Sequence, residues 1–176
     1  GLGIADEAVQ VSSTGVIGVQ MPLERICDAV PALIDGLSTG TLDDIAQAIM
    51  TTDTVAKARS ASCQLHGRTI SISGIAKGVG MLQPNMATML VFLMTDAELP
   101  GTALRPMLKR VADRTFNCMS IDTDTSTSDT VVLMANGLAG KSRLAQFEKG
   151  LFEVCEYLTR EIARNGEGAT KLITVD

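Results

Sequence analysis

The stretch with the most chemically useful residues is the glycine-rich segment KGVGMLQPNMATML at residues 77–90. It holds one cation, Lys77, beside two glycines that permit backbone conformations other residues avoid. Thr88 stands directly before an apolar run, so its hydroxyl could attack the carbonyl of Ala87 and shift the chain to an ester. Hydrolysis of that ester by water would leave Thr88 as a new N-terminus. The new α-amine, with a pKa of about 7.7–8.0, would then serve as base for the same hydroxyl. Because threonine is also simply a good β former, the residues alone leave both interpretations open.

Three further short motifs could bind a polar substrate. The backbone N–H groups of Thr14 and Gly15, helped by the Thr14 hydroxyl, could hold an oxyanion. Thr51 and Thr52 follow a predicted helix and could bind a polar ligand, while Glu167 lies between glycines and could bind a substrate ammonium. Each motif also has a purely structural interpretation as a capping, helix-end or solvated turn.

The residues that metals and histidine-dependent mechanisms require are scarce. Asp122, Asp124 and Asp129 resemble a cation loop, but the segment lacks the glycine and final glutamate of an EF-hand, so local hydrogen bonding in a turn is favoured. His66 is the only histidine, and it precedes Gly67 at a predicted surface hairpin turn. We therefore predict no metal site. The cysteines contain no CxxC pair and are predicted to be reduced core residues: Cys27, Cys63, Cys118 and Cys155.

The elements that must position these residues follow from the hydrophobic pattern. Apolar residues at helical spacing predict helices with one buried face at 22–37, 101–118 and 142–164. A further helix is predicted at 42–50, capped by Thr41 and with Asp43 and Asp44 favourably placed in its first turn. Strands are predicted at 8–11, on both sides of the His66-Gly67 turn within 63–75, at 89–95, at 131–135 and beginning near Leu172. Asn136-Gly137 is predicted to be a turn. Amphipathic helices that bury one face against buried strands imply an α/β fold with helices layered on sheets, although alternation alone would permit an ordinary doubly wound sheet.

Composition bounds the class of protein further. The 176 residues suggest about one domain, and 45% hydrophobic with 20% charged residues is an ordinary globular balance. A net charge of −5, no tryptophan and one tyrosine disfavour nucleic acid as a partner. No apolar run approaches the roughly 18–20 residues of a membrane span. Because the sequence lacks an initiator methionine and ends in a strand-like pattern, we expect an internal piece of a longer protein.

Five motifs together resemble the ornithine acetyltransferase family, also called the glutamate N-acetyltransferase or ArgJ family. They are STGVIG at 13–18, MTTDT at 50–54, KGVGMLQPNMATML at 77–90, DTSTSD at 124–129 and GEGATK at 166–171. The resemblance implies an incomplete fragment of a layered αββα-like fold of the ArgJ/DmpA type, with helices packed outside sheets. It also implies self-cleavage at Ala87-Thr88, so that residues 1–87 are the C-terminal part of an α chain and residues 88–176 the N-terminal part of a β chain.

The same resemblance implies an activity and assigns roles. Thr88 would take an acetyl group from N-acetylornithine, form an acetyl-enzyme and pass the acetyl to glutamate. Thr14 and Gly15 match the oxyanion hole of the family. The positions that match its substrate-binding residues are Thr51, Lys77, Thr88 and Glu167. Ser128 departs from the family pattern, because relatives commonly have asparagine there.

The resemblance also implies no cofactor, although some family members accept acetyl-CoA as acetyl donor. The implied partners are small-molecule substrates, with the α and β chains of one precursor forming a heterotetramer in the cytoplasm.

Two alternatives remain at this point. One is a self-cleaving N-terminal-nucleophile amidase or aminopeptidase of related fold, which would share Thr88, Thr14 and Gly15 without needing Lys77 and Glu167. The other is a fragment without catalysis, whose motif residues only hold loops and whose incomplete core would melt without cooperativity.

Overall fold

A computed structural model describes residues 2–16, 18–65, 68–80, 88–121 and 126–175. The helices are α1 (Leu23–Asp35), α2 (Leu42–Ala48), α3 (Gly101–Asp113) and α4 (Leu144–Arg164), with short 3-10 helices at Asp6–Ala8 and Phe116–Cys118. The strands are β1 (Lys57–Leu65), β2 (Arg68–Lys77), β3 (Leu90–Glu98) and β4 (Thr130–Lys141). The predicted α/β class is confirmed.

The four strands form one sheet in the described part of the chain, in the order β1-β2-β3-β4. β2 is antiparallel to both β1 and β3, whereas β4 is parallel to β3. A parallel neighbour requires a crossover connection, and α3 lies in the one between β3 and β4. The register places Lys77, the last residue of β2, opposite Leu90, the first residue of β3. The glycine-rich segment at 77–90 therefore begins and ends at the same edge of the sheet.

The core lies between one face of the sheet and helices α3 and α4. α4 carries the largest share of the helical contribution, burying Phe147, Leu151, Val154, Cys155, Leu158 and Ile162. It crosses β2 at Gly74, where an added Cβ would lie only 2.7 Å from Leu93 Cδ2 and 2.9 Å from Val154 Cγ1. The absence of a side chain at Gly74 thus lets the helix approach the strand closely.

The prediction for α2 is confirmed, including its N-terminal cap. Thr41 Oγ1 accepts a hydrogen bond from the Asp44 backbone N–H at 3.2 Å, and the Asp44 carboxylate accepts one from the Thr41 N–H at 2.9 Å. This reciprocal capping box satisfies two backbone donors at the helix start. α2 packs against β1 and β2, and its Ala46 is fully buried.

The prediction for α1 is right about the helix and wrong about its buried face. No residue of Leu23–Asp35 is buried. The apolar side chains of the predicted face are exposed, among them Leu23, Ile26, Val30, Leu33 and the following Leu37. The spacing of apolar residues specifies a stripe along a helix, but it does not supply the surface that covers the stripe.

Three predictions about strands and turns are wrong. Residues 8–11 form no strand, and the first of them, Ala8, ends a 3-10 helix at Asp6–Ala8. Asn136-Gly137 is not a turn, because β4 continues through both residues. Gly137 has a left-handed conformation, with φ +77°, inside the strand, close to an irregularity in the β3–β4 register. The residues near Leu172 have no regular structure.

The predicted helix at 101–118 ends at Asp113, and the 3-10 helix at Phe116–Cys118 follows it.

The prediction that the four cysteines are reduced core residues holds in part. All four thiols are free, but Cys155 alone is buried, and burial raises its pKa to about 12. Cys27 and Cys118 are exposed.

Some predictions fall on residues outside the described ranges. These are the hairpin turn at His66-Gly67, Ala87, whose carbonyl is attacked in the predicted cleavage, and the acidic residues Asp122 and Asp124.

Among the helices that the structure describes, none combines the length and apolar character needed to cross a membrane.

Candidate active site

Lys77 lies at the end of β2 with its side chain fully buried. Its ammonium donates a hydrogen bond to Thr51 Oγ1 at 3.2 Å, and this is its single hydrogen bond to the described residues. Burial lowers the pKa of Lys77, and the carboxylates of Asp53 and Asp129 act in the opposite direction. A buried ammonium can bind an anionic group strongly, because water does not compete there.

The structure therefore brings together two of the residues predicted from the sequence, Thr51 and Lys77. The structure also distinguishes Thr51 from its neighbour Thr52. Thr51 contacts Lys77, whereas no hydrogen bond from the Thr52 side chain is found in the described part of the chain. Their predicted role in substrate binding stays a prediction.

The buried carboxylate of Asp53 joins the turn after α2, the start of β1 and the residue that follows Lys77. Its Oδ1 accepts hydrogen bonds from Lys57 Nζ at 2.6 Å and from the Gly78 N–H at 2.8 Å. Its Oδ2 accepts one from the Thr51 N–H at 3.3 Å. Both side chains of the Asp53–Lys57 ion pair are fully buried.

Two effects oppose each other in setting the pKa of Asp53. Burial raises it, but the hydrogen bonds from Gly78 and Lys57, with the lysine charge, hold it below its ordinary value. Because the folded pKa is depressed, this carboxylate stabilises the fold above its unfolded pKa. That stabilisation is lost as the pH falls through the folded value.

Thr88 is buried two residues before β3, and its hydroxyl has a specific partner. Its Oγ1 lies 2.9 Å from Ser126 Oγ, and Ser126 Oγ also accepts a hydrogen bond from the Ser128 N–H at 3.1 Å. A backbone donor on Ser126 Oγ polarises its O–H group and makes it a better donor toward Thr88.

The position of Ser126 follows from the parallel pairing of β3 and β4. The Met89 N–H donates to Asp129 Oδ1 at 3.0 Å, and the Thr130 N–H donates to Met89 O at 3.0 Å. These bonds fix the residues before β4 beside the residue that follows Thr88. Ser126 is not among the site residues predicted from the sequence, although it lies in the DTSTSD motif that carries the resemblance.

Glu167 reaches the same edge of the sheet through its backbone. Its N–H donates to Val79 O at 2.7 Å, directly after the Lys77-Gly78 segment. A second contact joins Asn165 to Thr54, the residue after Asp53. The turn after α4 is therefore held both against Thr54 and against Val79. The Glu167 side chain itself is exposed.

The predicted oxyanion pair is not joined to the other site residues in the described structure. Gly15 is exposed, and no hydrogen bond among the described residues connects Thr14 or Gly15 with Thr88 or Lys77. Thr14 Oγ1 is a buried atom without a hydrogen-bond partner in the described ranges. Thr14 and Gly15 precede the first strand and are not paired with the sheet, so the strand register that positions Thr88 and Lys77 does not position them.

The family model and the curated relatives match nearly the whole chain. The family model described as "ArgJ family" matches residues 1–176. The arginine biosynthesis bifunctional protein ArgJ of Symbiobacterium thermophilum is 48% identical over 99% of this chain and 45% of its own length. Its namesake from Rhodococcoides fascians is 51% identical over 98% of this chain and 41% of its own length. A crystal structure of ArgJ from Bacillus halodurans is 44% identical over 46% of this chain and 41% of its own, with a TM-score of 0.44.

The fold and site define a mixed α/β protein with a buried lysine, a buried threonine and a buried ion pair at one edge of its sheet. The chain belongs to the ArgJ family. It spans less than half the length of the curated relatives described above.

Proposed function

We propose that the protein containing this chain is an acetyltransferase of arginine biosynthesis that moves acetyl from N-acetylornithine to glutamate. The observation that carries the proposal is the match to the ArgJ family over residues 1–176. The burial of Thr88 and Lys77 at one edge of the sheet supports it, because an acyl-enzyme must be kept from water to avoid hydrolysis.

The proposed reaction begins with self-cleavage of the Ala87-Thr88 bond. The freed α-amine of Thr88 takes the proton of its own hydroxyl as Oγ1 attacks the acetyl carbonyl of N-acetylornithine. The bond from that carbonyl to the ornithine nitrogen then breaks, and the nitrogen leaves with the proton, so that acetyl remains on Thr88 as an ester. The neutral amine of glutamate attacks the ester, which gives N-acetylglutamate and the free hydroxyl. Thr14 and Gly15 are proposed to stabilise the oxyanion in both halves.

The charged residues suit substrates that are amino acids. Lys77 is proposed to bind a substrate carboxylate, because its buried ammonium makes one hydrogen bond, to Thr51, among the described residues. Glu167 is proposed to bind the ammonium of ornithine and that of glutamate, and the glutamate ammonium must lose a proton before its neutral amine attacks the acetyl ester. Donor and acceptor would then occupy one pocket in turn, as a covalent acetyl intermediate requires.

Several properties of the whole protein belong to the same proposal. The acetyl group is carried on Thr88, so the reaction needs no cofactor, and acetyl-CoA would act as an alternative acetyl donor. The α and β chains of one precursor would assemble as a heterotetramer in the cytoplasm.

The first test is the intact mass of the full-length protein under denaturing conditions, beside a Thr88→Ala variant. We expect two chains whose masses sum to the precursor plus one water, the second beginning at Thr88. The variant should stay whole, because it lacks the attacking hydroxyl. A single uncut chain in both samples would contradict the role of Thr88.

Turnover of N-acetylornithine with and without glutamate separates transfer from the amidase or aminopeptidase alternative. A transferase needs glutamate to release ornithine repeatedly, whereas a hydrolase releases it equally well without glutamate.

A further inference from the structure

The Asp53 carboxylate is the meeting point of three separate segments of the chain. It accepts hydrogen bonds from the Thr51 N–H in the turn after α2, from Lys57 at the start of β1, and from the Gly78 N–H after the end of β2. These segments also carry two residues of the proposed substrate site, Thr51 and Lys77. Neither a metal nor a substrate group is needed to explain why this carboxylate is buried, because its partners satisfy both oxygens.

The contacts of Asp53 continue to a third residue of the proposed site. Gly78 has φ +145° and its missing side chain would meet the Met89 backbone at 3.2 Å, so the chain leaves β2 through a conformation that suits glycine. The next residue, Val79, accepts the Glu167 N–H at 2.7 Å. The hydrogen bond from Gly78 to Asp53 therefore fixes the segment on which the backbone of Glu167 rests.

We propose that Asp53 is a positioning residue, which holds Thr51, Lys77 and the Glu167 turn in the arrangement that binds substrate. It reaches Thr51 through the Thr51 backbone, Lys77 through Thr51 Oγ1 and the adjacent Gly78, and Glu167 through Val79. The inference rests on the proposed function for its kinetic test, but the contacts that define it can be tested separately.

The ion pair with Lys57 and the two backbone hydrogen bonds serve different purposes and can be separated by substitution. Asp53→Asn keeps the shape but provides one acceptor oxygen, so the amide must turn an N–H toward either Thr51 or Gly78. It also leaves Lys57 as an unpaired buried charge, which destabilises the fold. Lys57→Met removes the ion pair but keeps both backbone hydrogen bonds. The double variant Asp53→Asn/Lys57→Met removes both charges and has no unpaired charge left from the pair.

The experiment measures kcat and KM for N-acetylornithine in these three variants of the full-length protein. Val154→Ala, a core substitution away from the site, is the control for lost stability, and all proteins are assayed at a temperature where they are folded. Because misplacing substrate-positioning groups by about 1 Å can cost roughly 100-fold, we expect Asp53→Asn to lower kcat/KM about 100-fold, mainly through KM. Relative to Asp53→Asn, the double variant should regain stability but not kcat/KM. Lys57→Met should lose less activity than Asp53→Asn or the double variant.

Amide hydrogen exchange provides a readout that does not depend on activity. In Asp53→Asn and in the double variant, the exchange of the Gly78 and Glu167 amides should accelerate by about tenfold or more, because both bonds depend on the 78–79 segment. The same amides should exchange normally in Val154→Ala.

Kinetic constants of Asp53→Asn and of the double variant equal to those of Val154→Ala would overturn the proposal, whatever the exchange results. Unchanged exchange at Gly78 and Glu167 would overturn it as well. If the unmodified full-length protein transfers no acetyl, the proposed function fails instead, and accelerated exchange at Glu167 would still support the positioning of that turn by Asp53.

Discussion

Helices α1 and α4 carry similar sequence patterns and have opposite environments. Both place apolar residues along one face, yet α4 buries six residues against the sheet and α3, while α1 buries none. Leu151 of α4 is fully buried, whereas Leu33 of α1 is 66% exposed. The comparison shows that helical spacing specifies where an apolar stripe lies, and that the contribution of the stripe to stability depends on the surface it meets.

The reason for the difference is visible in β2 rather than in the helices. Gly74 leaves space for Val154 and Leu158 of α4, and Ile72 meets the helix at Gly150. These complementary surfaces are far apart in the sequence. The helical periodicity of either helix therefore carries no information about which one has such a partner.

The sharpest test of this comparison uses the same substitution in both helices of this 176-residue chain. Leu151→Ala should reduce the free energy of unfolding by about 2–5 kcal/mol, because it removes buried methyl groups and leaves a cavity. Leu33→Ala should change it by less than about 0.5 kcal/mol, because the side chain is already in water. Urea denaturation followed by circular dichroism measures both. Similar losses in the two variants would mean that α1 is also packed in solution.

The close approach of α4 to β2 predicts a smaller effect. Gly74→Ala should destabilise the chain by about 1–3 kcal/mol, because the new methyl group overlaps three packed side chains at 2.7–3.0 Å. Gly150→Ala is the matched control. Its methyl meets one flexible atom, Ile72 Cδ1 at 3.0 Å, and a gain of about 1 kcal/mol in helix propensity offsets the contact.

Thermal and urea unfolding of both glycine variants provide the measurement. A Gly74→Ala protein as stable as the unmodified chain would show that α4 does not approach the sheet as closely as described.

The smallest predicted effect concerns the cap of α2, the helix that follows α1 and does pack on the sheet. Thr41→Ala should cost about 1 kcal/mol, because the Asp44 N–H loses its acceptor. Thr39→Ala is the control, since the Thr39 hydroxyl donates to Gly36 O in an exposed turn after α1. The denaturation midpoint of Thr41→Ala should fall further than that of Thr39→Ala. The reverse order would indicate that the end of α1 contributes more to stability than the packed helix beside it.

The candidate site was accessible from the sequence in part. Thr51, Lys77 and Thr88 were identifiable from their motifs, and the structure places Thr51 against Lys77 and buries Thr88 before β3. Ser126 and Asp53 were missed as contact residues, although both lie inside recognised motifs. Ser126 contacts Thr88, 38 residues away, and Asp53 contacts Gly78, 25 residues away, and such long-range contacts arise only when the strands pair.

Local sequence determined the features whose interactions span a few residues. The capping box of Thr41 and Asp44 begins α2, and apolar residues at helical spacing form α1 and α4, because the required hydrogen bonds and stripes lie within one or two turns. The motifs likewise identified the family without any knowledge of the fold. Tertiary structure alone decided that α4 is buried and α1 is not, that β4 continues through Asn136-Gly137, and that Asp53 meets Gly78. Those outcomes depend on surfaces brought together by strand register, which no short stretch of sequence contains.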